Sequence, residues 1–145
     1  MLGQSALRSG CQWFKLQISA DGQSLSLADS GRVYDGSTSY PYYYYMPSLM
    51  VNTNGDMVMG FSGSRGTEHV GAFYTGRLAD GTSSAKPVLI QSGRAFFPDY
   101  FWGDYSYTSL DPDGLTFWTV QEYAGIPVSG FGLIAFGTWI SSIKK

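Results

Sequence analysis

The chain has 145 residues, enough for one domain with a core of its own. Its 11 acidic and 9 basic side chains leave a net charge of -2, and no run of Lys or Arg occurs, which excludes nucleic-acid binding by phosphate neutralisation and a polybasic membrane patch. One cysteine (Cys11) and one histidine (His69) exclude a disulfide framework, a cysteine-based metal site and a histidine cluster.

Reading along the chain, residues 12–18 (QWFKLQI) alternate as a strand, and Asp21-Gly22 makes a turn. A short extended piece follows at 24–27, and a candidate edge strand at 31–34 is closed by Asp35-Gly36. Four tyrosines (Tyr42 to Tyr45) lead into a strand at 48–52, where alternation sends two rings inward and two outward. The Asn52-Thr53-Asn54-Gly55 turn suits a hairpin, because Asn and Gly tolerate positive φ. Strands at 57–61, 69–75 and 87–91 complete that unit, with a turn at 62–67, and Pro87 suits an outer edge. An aromatic loop (96–103) precedes strands at 105–111, 115–122 and 136–143. No stretch keeps a helical apolar period for three turns. Aromatics at 17% and 19 glycines, against only 14% charged residues, fit the same all-β reading.

Residues 47–62 (PSLMVNTNGDMVMGFS) recur as residues 106–121 (SYTSLDPDGLTFWTVQ), so that Val51 lies over Leu110 and Phe61 over Val120 without a gap. A hairpin recurring 59 residues on points to an array of small sheets, each needing a neighbour to bury its face. The expected architecture is antiparallel propeller-type blades behind an N-terminal segment (1–11). A complete blade covers about 47–92, with partial blades at 12–34 and 105–143, and Trp13 and Trp139 occupy the same place in their third strands. About two blades cannot close a ring, so the propeller is expected to be incomplete or completed by other chains.

The succession PSLMVNTNGDMVMGFSGS, GAFYTGR, WGDYSYTSLDPDGLTFWTVQEYA and GTWISSI resembles the carboxy-terminal part of large secreted bacterial proteins with sialidase-like β-propellers. Its most specific part is Trp102-Gly103-Asp104-Tyr105-Ser106 with Asp111-Pro112 and Thr116-Phe117-Trp118. The resemblance implies an extracellular or cell-surface setting and a piece of something longer. Residues 1–10 lack the apolar region of a signal peptide, so the leader of such a protein would have been lost. Residues 130–140, the most apolar stretch, are too short for a membrane span and hold three glycines.

The candidate chemistry is thin. Residues 109–117 resemble the Asp box of sialidase propellers, with one extra residue, and Asp111 and Asp113 are read as capping their own turn. Glu122 beside Tyr123 is the pair that could imitate a sialidase nucleophile and its base, and Glu122 with Asp104 is the carboxylate pair to test for a glycosidase. A sialidase would also need arginines clustered on the substrate carboxylate, and Arg8, Arg32, Arg65, Arg77 and Arg94 are scattered. Calcium could draw on Asp99, Asp104, Asp111 and Asp113, but no EF-hand spacing occurs and no cofactor is expected. Tyr100, Phe101, Trp102 and Tyr105 form either an exposed ligand platform or a wedge between blades. His69 is read as a surface or turn residue and Cys11 as a packed thiol.

The leading expectation is therefore a non-catalytic extracellular module that binds or scaffolds, its ligand a glycan or an extracellular protein. Self-association into a ring or filament and part of a sialidase-like glycosidase are the alternatives. Neither nucleic acid nor membrane insertion is expected.

Overall fold

The structure, a computed structural model, describes residues 8–81, 86–98, 101–127 and 135–144. Among them no helix occurs and nine strands form three antiparallel sheets. The first sheet is the hairpin β1 (Cys11–Ile18) and β2 (Leu25–Val33). The second is a four-stranded meander of β3 (Tyr43–Val51), β4 (Met57–Arg65), β5 (Glu68–Arg77) and β6 (Val88–Gln91). The third holds β7 (Tyr107–Leu110), β8 (Phe117–Ala124) and β9 (Phe136–Ile143). The four strands of the second sheet and the three of the third are the number read from the sequence. The sheets pack in chain order with the second in the middle, and they do not close on themselves.

Several strands run longer than their alternation suggests. The pieces at 24–27 and 31–34 are one strand, β2, interrupted by a bulge at Ala28, where Lys15 pairs Asp29 and Leu16 pairs Leu27. Likewise β3 runs on through Met46-Pro47, which bulge out with Met46 at φ 52°, so Tyr43, Tyr44 and Tyr45 are part of the strand and Tyr42 precedes it. The turn expected at 62–67 narrows to Gly66-Thr67, because β4 stays paired with β5 out to Arg65 opposite Glu68.

The middle sheet is buried on both faces, which is why β4 shows no alternation in burial from Met57 to Gly63. One face meets the first sheet in an apolar core of Tyr44, Met59, Phe61 and Phe73 against Cys11 and Val33, with Trp13 and Tyr42 at its margin. Phe61 stands edge-on to Tyr44 at 5.0 Å and stacks on Phe73 at 6.0 Å. Tyr42 stacks on Tyr44, so these two rings turn inward while Tyr43 stays exposed and Tyr45 donates its hydroxyl to Ser64. Burying each large apolar side chain contributes about 1.5–3 kcal/mol. Arg77 ties the same interface by bonding Asp29 and lying over the Trp13 ring.

The other face of the middle sheet is small and polar. Gly60 brings the backbone so close to the third sheet that a Cβ there would lie 2.2 Å from both Gln121 Nε2 and Thr119 Oγ1. Gln121, Thr119 and Thr108 are almost fully buried and share their hydrogen bonds with Ser48 and Ser106. Among the described residues no buried side-chain nitrogen or oxygen lacks a partner, so this polar layer is fully satisfied.

The repeat needs one correction. Val51 pairs Met57 across the first turn, whereas Leu110 pairs Phe117 across the second, which is one residue longer. Superposing paired strands puts Phe61 over Gln121 rather than Val120. A one-residue slip exchanges the faces of a strand, and with the correct match Met59 and Phe61, like Thr119 and Gln121, face the preceding sheet. Trp13 and Trp139 are then not equivalent. Trp13 packs towards the sheet that follows it, whereas Trp139 pairs Gln121 and shares the face towards the sheet before it.

Candidate functional site

The loop after β6 crosses from the middle sheet to the third and is fastened at both ends. Arg94 donates its amide to Ala124 of β8 at 2.7 Å. Trp102 donates its indole N–H to Ser62 of β4 at 3.0 Å, with Phe97 edge-on against its ring at 4.8 Å. The next residue, Gly103, adopts φ 103° in contact with Met46, a conformation L side chains rarely take. Its amide donates to Glu122 Oε2 at 2.8 Å. Tyr105 then stacks on Phe136 at 5.6 Å.

These fastenings enclose a cleft of about 180 Å³. Glu122 forms part of its floor, only 3% exposed. One carboxylate oxygen takes the Gly103 amide. Burial pushes the Glu122 carboxyl above the usual carboxylate range; the Gly103 amide opposes that shift and the Asp104 charge adds to it. Phe97, Phe101, Trp102 and Tyr105 supply aromatic walls with Phe136, and Asp104 lies at the exposed rim.

Five of the residues singled out from the sequence therefore converge: Glu122, Asp104, Phe101, Trp102 and Tyr105 all line this cleft. Tyr123 does not. It follows Glu122 on the strand and so points to the opposite face, its ring covering Gly137. Tyr100 and Asp99 lie outside the described residues. The aromatic loop divides its roles, since Trp102 wedges between sheets while Phe101 is 81% exposed and Tyr105 54%. Sequence reading missed Phe136, and it held Phe97 and Gly103 within the aromatic loop without naming them as site residues. Pairing Glu122 with Thr138 puts Phe136 two residues along on the same face, a relation visible only once the register is known.

Among the described residues no arginine lines the cleft. Arg65 bonds Glu68 and lies over Tyr42, Arg77 holds Asp29, and Arg8 donates to the Asp35 carbonyl. The chain matches no family model, no curated protein and no solved structure.

The remaining candidates are local. Asp113 accepts the amides of Leu115 and Thr116 and the Thr116 hydroxyl, and Asp111 accepts the Asp113 amide and the Trp118 indole. Those bonds hold the Asp113 carboxyl well below its ordinary value, and both side chains serve their own turn. Among the described residues no three His, Cys, Asp or Glu side chains gather as metal ligands. His69 is exposed at the start of β5, and Cys11 is buried, which pushes its thiol up to about 11. A larger opening of about 570 Å³ between the turns, lined by Asn52, Asn54, Asp80 and Lys144, is a wide groove that none of the expected site residues reaches. No helix of the described residues is long and apolar enough to cross a membrane.

Proposed function

We propose that the chain is a non-catalytic extracellular scaffolding module of propeller-type blades, which binds protein by stacking its two terminal sheets on further sheets, supplied by a second copy. The observation that carries this is the pair of outer faces. On the first sheet Phe14, Leu16, Ile18, Leu25 and Leu27 share the face turned away from the core, each more than half exposed. On the third, Tyr107, Trp118 and Ile140 share the outward face, also exposed. Contiguous apolar rows of this kind mark interaction surfaces.

Continuity argues for sheet-on-sheet contact. Inside the chain the middle sheet presents one face to its predecessor and the other to its successor. The outer face of the third sheet is thus the kind that receives a successor, and that of the first is the kind that meets a predecessor. Head-to-tail stacking follows, and it yields a ring or a filament according to whether the rotation closes. Merging the open edges instead would join two strands to three, one more than the four of the complete sheet. A composition of 14% charged residues and 11 tyrosines supports the extracellular setting. The sialidase-like alternative finds no support in a cleft whose described lining residues include no arginine and where Glu122 holds Gly103.

Light scattering over a concentration series tests this. The mass should rise above that of one chain, and Leu16→Asp combined with Leu27→Asp should return it to one chain with the circular dichroism unchanged. A wild-type mass that stays at one chain overturns the reading.

A further inference from the structure

β9 is an edge strand without the protections that the other edges of the described sheets carry. We infer that its free edge is a binding site for one extended apolar strand of a partner protein, which completes the third sheet as β6 completes the second.

β9 repeats β5 position by position. Phe117 pairs Ile143 as Met57 pairs Arg77, and Gln121 pairs Trp139 as Phe61 pairs Phe73. Gly71-Ala72-Phe73-Tyr74 therefore lies over Gly137-Thr138-Trp139-Ile140. In the second sheet Gln91, Leu89 and Val88 of β6 pair Ala72, Phe73 and Tyr74. No strand of the described residues stands in that place beside Thr138, Trp139 and Ile140. Burial differs accordingly. Phe73 is 3% exposed, whereas Trp139, although it too faces the preceding sheet, is 39% exposed.

An unpaired edge is a template for another strand, and proteins blunt it with charge, proline, bulges or brevity. The other edges use these devices. β1 carries Lys15, β2 carries Asp29 and Arg32, and a bulge interrupts their pairing. The bulge at Met46-Pro47 breaks β3, while β6 and β7 have four residues each and Pro87 precedes β6. β9 (FGTWISSI) runs for eight residues with no charge, no proline and no shift in its pairing.

The template sets the partner's chemistry. β6 is Val88-Leu89-Ile90-Gln91, largely β-branched and aliphatic. In strand addition of this kind main-chain hydrogen bonds give affinity and alternate side chains give specificity. One added strand brings the third sheet to the four of the second, so the site takes a single segment. Stacking uses the faces of the sheets and not this edge, so neither interaction depends on the other.

Hydrogen exchange read by NMR on the whole chain tests this, with a capped peptide of residues 86–92 (KPVLIQS) at millimolar concentration as the probe. The amides of β9 that point away from β8, those of every second residue, should exchange at least threefold more slowly with the peptide present. The same peptide carrying Leu89→Pro, which lacks a ladder donor, should give no slowing. Protection should persist in Leu16→Asp combined with Leu27→Asp, because the stacking face of the first sheet takes no part. Unchanged exchange at β9, slowing at β5 alone, or equal slowing by the proline peptide overturns the inference. So does an edge already protected without peptide, and more so at higher chain concentration, which would make a second copy its occupant.

Discussion

Gly60 of β4 lies directly against Gln121 of β8, and the contact between the second and third sheets is built on that absence of a side chain. A Cβ at position 60 would meet Gln121 Nε2 at 2.2 Å, inside the hydrogen-bonded layer formed with Ser48, Thr108 and Thr119. Gly60→Ala must therefore push Gln121 or Thr119 out of place. Overpacking of this kind costs about 1–3 kcal/mol, and a displaced buried amide adds to it. Denaturant unfolding should show the loss. Wild-type stability in Gly60→Ala would mean that the third sheet stands further off than described.

The apolar core between the first two sheets makes a separate prediction. Phe61 is fully buried among Tyr44 and Phe73. Phe61→Ala should lower the unfolding free energy by about 3–5 kcal/mol. A loss under 1 kcal/mol in the same assay would contradict the packing.

Glu122 gives a pH dependence of defined sign. Its folded carboxyl titrates above the usual range, mainly through burial, so the fold favours the neutral form. The stability this provides is fully present below the unfolded value and is lost as pH rises through the folded one. Glu122→Gln keeps an oxygen for the Gly103 amide and removes the ionisation. The variant should gain on wild type in thermal midpoint as pH climbs through and beyond the carboxylate range. A difference independent of pH would place Glu122 in water.

Asp113 carries the opposite sign. Hydrogen bonds from Thr116 and Leu115 depress its folded value, so its contribution is present above the unfolded value and fades as pH falls through the folded one. Asp113→Asn should sit below wild type in thermal midpoint at neutral pH, and the gap should close on acidification. A gap that widens in acid would rule out the depressed carboxyl.

Strand number and sheet division were legible in the sequence because turn chemistry is local. Asn52 accepts the amides of Asn54 and Asp56, and Asp111 and Asp113 act likewise in the second turn. Register was not legible. One extra residue in the second turn shifts β8 by one, and only paired backbones reveal that Phe61 corresponds to Gln121. Bulges at Ala28 and Met46 hid the continuity of β2 and β3 for the same reason. The cleft was half legible: its loop residues are neighbours in sequence, whereas Phe136 arrives through strand pairing with Ala124.

Head-to-tail stacking is the central claim, and a complementation experiment tests it most directly. Leu16→Asp with Leu27→Asp disables only the first sheet's outer face, and Ile140→Asp disables only that of the third. Each variant alone should be monomeric by light scattering, and an equimolar mixture should form dimers and nothing larger, since each partner keeps one face of opposite kind. Variants that self-associate as well as wild type, or a mixture that stays monomeric at concentrations where wild type assembles, would contradict the account.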